Sequence, residues 1–316
     1  MTFARFMELC LYHPVFGYYR RAAVRIGYAE ADYFTAAASG SVFGQIVAAA
    51  CVSLLGERDP GKYEFVEIGA EPALRGAGRG VLAGVAHPFR SVRTFGIAEA
   101  ISESASDSPA PVNLEGPCVV FSNELFDAQP FNRFIFRGGS WRELGVGFEG
   151  IVPVERELPS ATPAPLPPTA PEGYRLDAPL KSVRLLEQIA SRPWTGLFVA
   201  IDYGKGWEEL SRGTPAGTAR AYHRHVLSND LLARPGEQDL TCHVCWDWLS
   251  DSLARHGFGP AQLEFQEAFF LHNAADWLEA AITAGSDPLS PLKRSLTQLL
   301  HPSHLGQKFQ VLHARR

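Results

Sequence analysis

The chain has 316 residues, 46% of them apolar, enough to bury a full hydrophobic core in one large domain or two moderate ones. Its 29 basic and 34 acidic residues leave a net charge of −5, without the basic field that neutralises phosphates, which argues against nucleic acid as a partner. Five scattered cysteines, an odd number, argue against a disulfide framework.

The first residues, MTFARFMELCLYHP, lack the basic start, continuous apolar core and small-residue cleavage site of a secretory signal, so a cytoplasmic location is expected. From Tyr33 to Gly56 the chain is uncharged over a length that would span a bilayer, but Thr35, Ser39, Gly40, Ser41, Gln45 and Ser53 interrupt it. That stretch reads as a loop followed by a buried helix, with no membrane span. Four apolar runs then carry strand signals, at 62–69 (KYEFVEIG), 92–100 (VRTFGIAEA), 117–124 (PCVVFSNE) and 196–204 (GLFVAIDYG). Such strands separated by helical stretches predict an α/β domain, its parallel sheet covered on both faces and its ligands bound beyond the carboxyl ends of the strands. Acids collect at those ends: Glu67 just before the glycine of the first run, then Glu99, Glu124 and Asp202. Each is a site candidate, and each is equally able to cap a following helix.

Between Ile151 and Pro179 eight prolines exclude both a helix and a central strand, and predict an extended excursion or linker. Val183, Leu185, Leu186 and Ile189 have helical spacing within 181–189. A second polar region, 205–247, interrupts the sheet after GLFVAIDYG. Cys242 and Cys245 form a CxxC there, but with no second ligand pair they read as small buried thiols on a strand. LEFQEAFFL at 263–271 reads as a strand, 274–284 as a helix, and KFQVLHA at 308–314 as a closing strand. His301 and His304 lack further ligands nearby, and no metal site is expected.

YHPVFGYY (12–19), DYFT (32–35), FVEIG (65–69), SNELFDAQP (122–130), IDYG (201–204), RAYHRHV (220–226), PGEQDLTCHV (235–244) and HPSHLGQKFQVL (301–312) stand in one order along the chain. In that order they resemble the MidA family of S-adenosylmethionine-dependent methyltransferases. Those are relatives of the mitochondrial complex I assembly methyltransferase, which is associated with arginine methylation of a complex I subunit. The resemblance implies a Rossmann-like class I methyltransferase sheet with helices on both faces, built from 61–135 and 195–316, with 205–247 as a further, substrate-facing insertion. It also implies a segment 1–60 packed over the cofactor site, and 136–194 as a Pro-rich excursion and helix. The implied cofactor is S-adenosylmethionine, and the implied partner is a protein acceptor, a respiratory-complex subunit being one possibility.

An adenosine carrying a sulfonium and an amino acid tail needs close backbone approach, a carboxylate for the ribose hydroxyls and polar groups for the tail. By resemblance those positions are Glu67, Gly69 and Ala70 after the first strand, Glu99 on the second, and Asn123. Where the family reads GPGRG, however, this chain has Gly69, Ala70, Glu71, Pro72 and Ala73, while a similar GAGRG stands at 76–80. Either a lengthened loop delivers those later glycines to the cofactor, or the region is only a connection. The residues after DYFT and those between Glu103 and Pro117 also depart from the pattern.

SNELFDAQP resembles the acidic loop of arginine methyltransferases. Glu124 can hold a planar guanidinium in bidentate fashion, with Asp127 as a second carboxylate, and together they are the catalytic candidates. Asp239 and His243, in a segment that also holds His223 and His225, are candidates for substrate recognition. The alternative is a non-catalytic binding or assembly protein that keeps the fold without the cofactor. A nicotinamide dehydrogenase is disfavoured, because no GxGxxG follows the first strand directly.

Overall fold

The computed structural model describes residues 1–20, 40–70, 78–97, 112–224, 226–283, 287 and 290–316. Helices α1 (Phe3–Tyr12) and α2 (Ser41–Leu55) precede strands β1 (Glu64–Ile68), β2 (Ser91–Phe95) and β3 (Gly116–Asn123). Strands β4 (Asn132–Arg137), β5 (Ser140–Glu149), β6 (Val152–Glu157) and β7 (Arg175–Ala178) follow, then helix α3 (Leu180–Ala190) and strand β8 (Trp194–Asp202). Next come β9 (Gly204–Lys205), helix α4 (Trp207–Arg212), β10 (Arg220–His223), β11 (Val226–Ser228), β12 (Asp239–Thr241) and β13 (Val244–Cys245). Helix α5 (Trp246–Arg255), β14 (Gln262–Phe265), helices α6 (Gln266–Asn273), α7 (Ala275–Thr283) and α8 (Pro291–Leu300), and β15 (Gln310–Arg315) complete the chain.

The fold is mixed α/β around a mostly parallel central sheet, ordered β14-β15-β8-β3-β1-β2. Strands β2, β1, β3 and β8 run parallel, and β15 is wedged antiparallel between β8 and β14. Because side chains alternate across a strand, near-continuous apolar runs supply two cores. Phe65, Val119, Phe121, Val199 and Ile201 pack on one face with α2, α6 and α8, while Val66, Cys118, Val120, Phe198 and Ala200 pack on the other with α3 and α5. The chain passes from β1 outward to β2 and then returns to the far side of β1 as β3, so the order reverses between β1 and β3. Ligand crevices of open parallel sheets lie at such a reversal, beyond the carboxyl ends of the strands.

Three expectations need correction. The run 263–271 is strand only to Phe265 and helix from Gln266. Phe269 and Phe270 are buried while Leu271 is exposed, which suits a helix face, and the buried Gln266 amide donates from Nε2 to the Leu299 carbonyl (2.8 Å). The second strand is shorter than 92–100, because β2 ends at Phe95 before Gly96, which lies against the Arg79 guanidinium. The third concerns 151–179, where the chain is not wholly extended linker: β6 and β7 join β4 and β5 in an antiparallel sheet ordered β6-β5-β4-β7. Between β6 and β7 the chain packs over that sheet through Ala164, Leu166 and Ala170, with the Trp141 indole donating to the Pro167 carbonyl (2.7 Å). The buried helix expected before the first strand is α2, and the helix at 181–189 is α3. Among the described residues no helix is long and apolar enough to cross a membrane.

The polar region after β8 forms a small antiparallel sheet ordered β11-β10-β12, and β9 pairs in parallel with β13. Gly204 is required there, because a Cβ would collide with the Trp246 indole. A buried ion pair ties this insertion to the second sheet. Arg133 Nε donates to Asp177 Oδ1 (2.7 Å), while Asp177 Oδ2 accepts from the amides of Thr218 (2.8 Å) and Ala219 (2.9 Å).

Candidate active site

At the end of β1, Gly69 has φ +88, and a Cβ there would press against the Leu125 side chain. The amides of Gly69 and Ala70 both donate to the Phe95 carbonyl, at 2.9 and 2.8 Å. This turn is therefore fastened to β2 by its own donors. Glu67 is buried, and its Oε2 accepts the Val81 amide (2.6 Å). Gly80, the last residue of GAGRG, lies against that carboxylate with φ +92, where a Cβ would collide with Glu67 Oε2. Gly80 and Val81 thus lie against the end of β1. Glu67 organises this contact, a role the sequence did not suggest, alongside the cofactor role that the resemblance implies. Glu99, Glu71 and Pro72 lie outside the described residues, as does DYFT.

At the end of β3, Asn123 donates from Nδ2 to Glu124 Oε1 (3.1 Å), and Glu124 has φ +51, a strained value for a non-glycine residue. The Glu124 amide donates to the Ile201 carbonyl (2.9 Å) of β8. Asp202, which ends β8 and is fully buried, holds the turn that follows. Its Oδ2 accepts the amides of Phe126 (2.8 Å) and Asp127 (3.3 Å), and its Oδ1 accepts that of Tyr203 (2.8 Å). Burial raises the Asp202 carboxyl to about 7 against the lowering effect of those amides. Asp127 is pushed well above the usual carboxylate range by burial first, then by Asp202, Glu124 and Asp239. Ser122 Oγ, Asn123 Oδ1 and Asp127 Oδ1 are buried without a hydrogen-bond partner among the described residues.

The insertion and the first helix complete this group. Asp239 of β12 is buried and accepts the Tyr19 hydroxyl (3.0 Å), and Tyr19 stacks on Tyr12 with ring centroids 5.4 Å apart. Tyr12 donates its hydroxyl to the Ala128 carbonyl (2.7 Å), beside Asp127. The phenols of Tyr12, Tyr203 and Tyr222 are all raised, in each case by burial first and then by neighbouring carboxylates that include Asp127. Three proposed residues, Glu124, Asp127 and Asp239, therefore come close enough to act on one another, and Asp127 is the one whose ionisation they oppose. His243 faces elsewhere: burial lowers its imidazole to about 4, aided by Lys205 and Arg220. Cys242 and Cys245 are buried thiols, and among the described residues no His, Cys, Asp and Glu are grouped so as to hold a metal.

The four tyrosines are the residues that sequence reasoning did not assign to the site, whereas Asp202 was a candidate only as an acid at a strand end. A signal for them existed, since Tyr12, Tyr19, Tyr203 and Tyr222 all lie within the motifs YHPVFGYY, IDYG and RAYHRHV. Buried carboxylates with an unpartnered acceptor oxygen, flanked by aromatic faces, suit a positively charged ligand. Both the tail ammonium and the sulfonium of S-adenosylmethionine meet that description, so the residues present fit this cofactor.

Residues 61–262 match the model of a protein family described as "Putative S-adenosyl-L-methionine-dependent methyltransferase". No curated protein matches the chain. Among solved structures, a "likely methyl transferase" from Burkholderia thailandensis bound to S-adenosyl-homocysteine is 24% identical with a TM-score of 0.81, the alignment covering 100% of this chain and 88% of the other. A native structure of an uncharacterized protein of the same superfamily and organism is also 24% identical, with a TM-score of 0.80 and coverage of 100% and 87%. These likenesses show the fold.

Proposed function

This chain belongs to the family of S-adenosyl-L-methionine-dependent methyltransferases that its residues 61–262 match, and from that premise we propose that it methylates a cationic nitrogen on a protein side chain, arginine by its resemblance to the MidA family. The observation that carries this reading is the convergence of Glu124, Asp127, Asp202 and Asp239 beside the reversal between β1 and β3. On this reading the central sheet is Rossmann-like, of the class I kind. Asn123 and the ends of β1 and β3 hold the cofactor tail, and Glu99 takes the ribose. When bound, the cofactor supplies an electrophilic methyl group on a sulfonium. Glu124 grips the acceptor and orients one nitrogen, its strained backbone fixed by the Ile201 carbonyl, and Asp127 and Asp239 add the field that holds the cation.

A second reading has one observation in its favour. The Gly69 and Ala70 amides are both used by Phe95, so they offer no donor to a ligand, as in an assembly protein that has lost its cofactor. Calorimetry separates the two. S-adenosylhomocysteine should bind, and Glu124→Gln should leave that affinity nearly unchanged. The same variant should lower radiolabel transfer to proteins of the source cell at least about a hundredfold, roughly 2.7 kcal/mol of transition-state stabilisation. Neither heat nor thermal shift at millimolar ligand would favour the assembly reading, and equal labelling by the two proteins would remove Glu124 from the mechanism.

A further inference from the structure

The register of the insertion's small sheet sets three side chains in one transverse row. Tyr222 of β10 pairs with Leu227 of β11 on one side and with Asp239 of β12 on the other. Directly paired residues of an antiparallel sheet project from the same face, so Leu227, Tyr222 and Asp239 stand side by side there. Their exposure falls along the row: Leu227 is 54% exposed, Tyr222 is half-buried and Asp239 is 4% exposed. Beyond Asp239 lie the Tyr19 hydroxyl and the Asp127 carboxyl. The row therefore runs from an exposed aliphatic surface across an aromatic ring to buried carboxyl groups. Arg220, two residues before Tyr222 and so on the same face, pairs with Thr241 and donates to the Ala219 carbonyl (2.7 Å). It flanks the row with positive charge and leaves the acid end as the favourable place for a cation.

We propose that Leu227 and Tyr222 form the approach by which the acceptor side chain reaches the acids, and that they select a cation carried on an aliphatic stem over the same cation without one. The proposal rests on the methyltransferase reading and adds its specificity determinants. A stem of three or four methylenes lies along Leu227 and the Tyr222 ring, as lysine and arginine stems lie along apolar surface, while the charged head meets Asp239, Asp127 and Glu124.

The test uses the full chain saturated with S-adenosylhomocysteine, titrated by calorimetry with butylguanidinium, methylguanidinium, butylamine and the neutral butylurea. Butylguanidinium should bind more tightly than methylguanidinium, and butylurea should not bind. Leu227→Ser lies on an exposed site and should leave the fold and the S-adenosylhomocysteine affinity intact. It should weaken butylguanidinium about fivefold, the effect of losing part of a leucine's apolar contact, without changing methylguanidinium. Leu227→Met should restore the wild-type value. Butylamine binding as tightly as butylguanidinium would assign the selection to stem and charge alone, as proposed, and weaker butylamine binding would add recognition of the planar head by the carboxylates. Equal binding of butylguanidinium and methylguanidinium, or no effect of Leu227→Ser on either, would overturn the proposal while leaving the cofactor reading in place. Failure of S-adenosylhomocysteine to bind would instead sink the methyltransferase reading, and the guanidinium titrations would still report on the row.

Discussion

Replacing Asp202 with asparagine tests whether the buried acid pair is built as described. Asparagine keeps the shape but turns one oxygen into a donor. The side chain can still accept from Phe126 and Asp127 if its oxygen takes the Oδ2 place, leaving the Tyr203 amide without its acceptor. One buried amide left unpaired costs about 1–3 kcal/mol. Against this stands the titration of the wild-type carboxyl, raised to about 7 from its ordinary 3.8. A carboxyl raised on folding binds more protons in the native than in the unfolded state over that interval, so stability is present below the unfolded value and is lost as pH rises toward 7. At roughly 1.36 kcal/mol per unit the loss approaches about 4 kcal/mol, and the asparagine variant does not suffer it. The variant should therefore be less stable than wild type near pH 4.5, and the difference should narrow or reverse by pH 7.5. Urea unfolding followed by fluorescence of the fully buried Trp194 and Trp246 reads both curves. A difference between the two proteins that stays flat, within about 0.5 kcal/mol, across that range would refute the assignment of raised buried charge to Asp202.

Asp177→Ala should destabilise the chain by about 3–5 kcal/mol in urea unfolding, because it leaves the buried Arg133 guanidinium only the more distant Glu155 carboxylate (3.7 Å) and also removes the acceptor for the Thr218 and Ala219 amides; a loss under about 1 kcal/mol would show that the latch is idle. Gly80→Ala forces a Cβ into the Glu67 carboxylate at φ +92, so a cost of about 2–4 kcal/mol is expected, with weaker S-adenosylhomocysteine binding if the lengthened loop serves the cofactor. Unchanged affinity in a destabilised but folded Gly80→Ala protein would make the glycine structural only.

The parallel core was legible because strands buried on both faces must be apolar throughout, and FVEI, VVF and LFVAI carry that mark without reference to any partner. LEFQEAFFL misled because a short apolar run has no period of its own; only the burial of Gln266 against Leu299 settles that the second half winds into a helix. The second sheet was obscured by proline content, which reports the excursion over the sheet and not the strands beneath it. Within the site, Glu124, Asp127 and Asp239 were identifiable as acids in motif positions, but their meeting depends on the fold. Asp202 was visible as an acid at a strand end, and its task of capping the turn after Glu124 needed the distances. Glu67 carries a second task that its position did not suggest, since its carboxylate also accepts the Val81 amide.

Asp127 and Asp239 come from segments more than a hundred residues apart, and Tyr12 and Tyr19 from a third, so the pocket exists only while three contacts hold. Asp202 fixes the turn bearing Asp127 to the end of β8, Tyr19 joins the first helical segment to Asp239, and the Arg133–Asp177 pair anchors the insertion that carries Asp239 and Tyr222. Each of these contacts uses a buried carboxylate, and buried carboxylates at close quarters repel one another and resist ionising. A fold selected for stability alone would replace such a group with apolar side chains, which pack as well without the desolvation cost. That the acids instead remain together, with Asp127 Oδ1 unpartnered among the described residues, is the physical ground of the proposal that they receive a cation. A bound cation would convert mutual repulsion into attraction and make up for the missing hydrogen bond, so the stability forgone in the free protein reappears as affinity for the ligand.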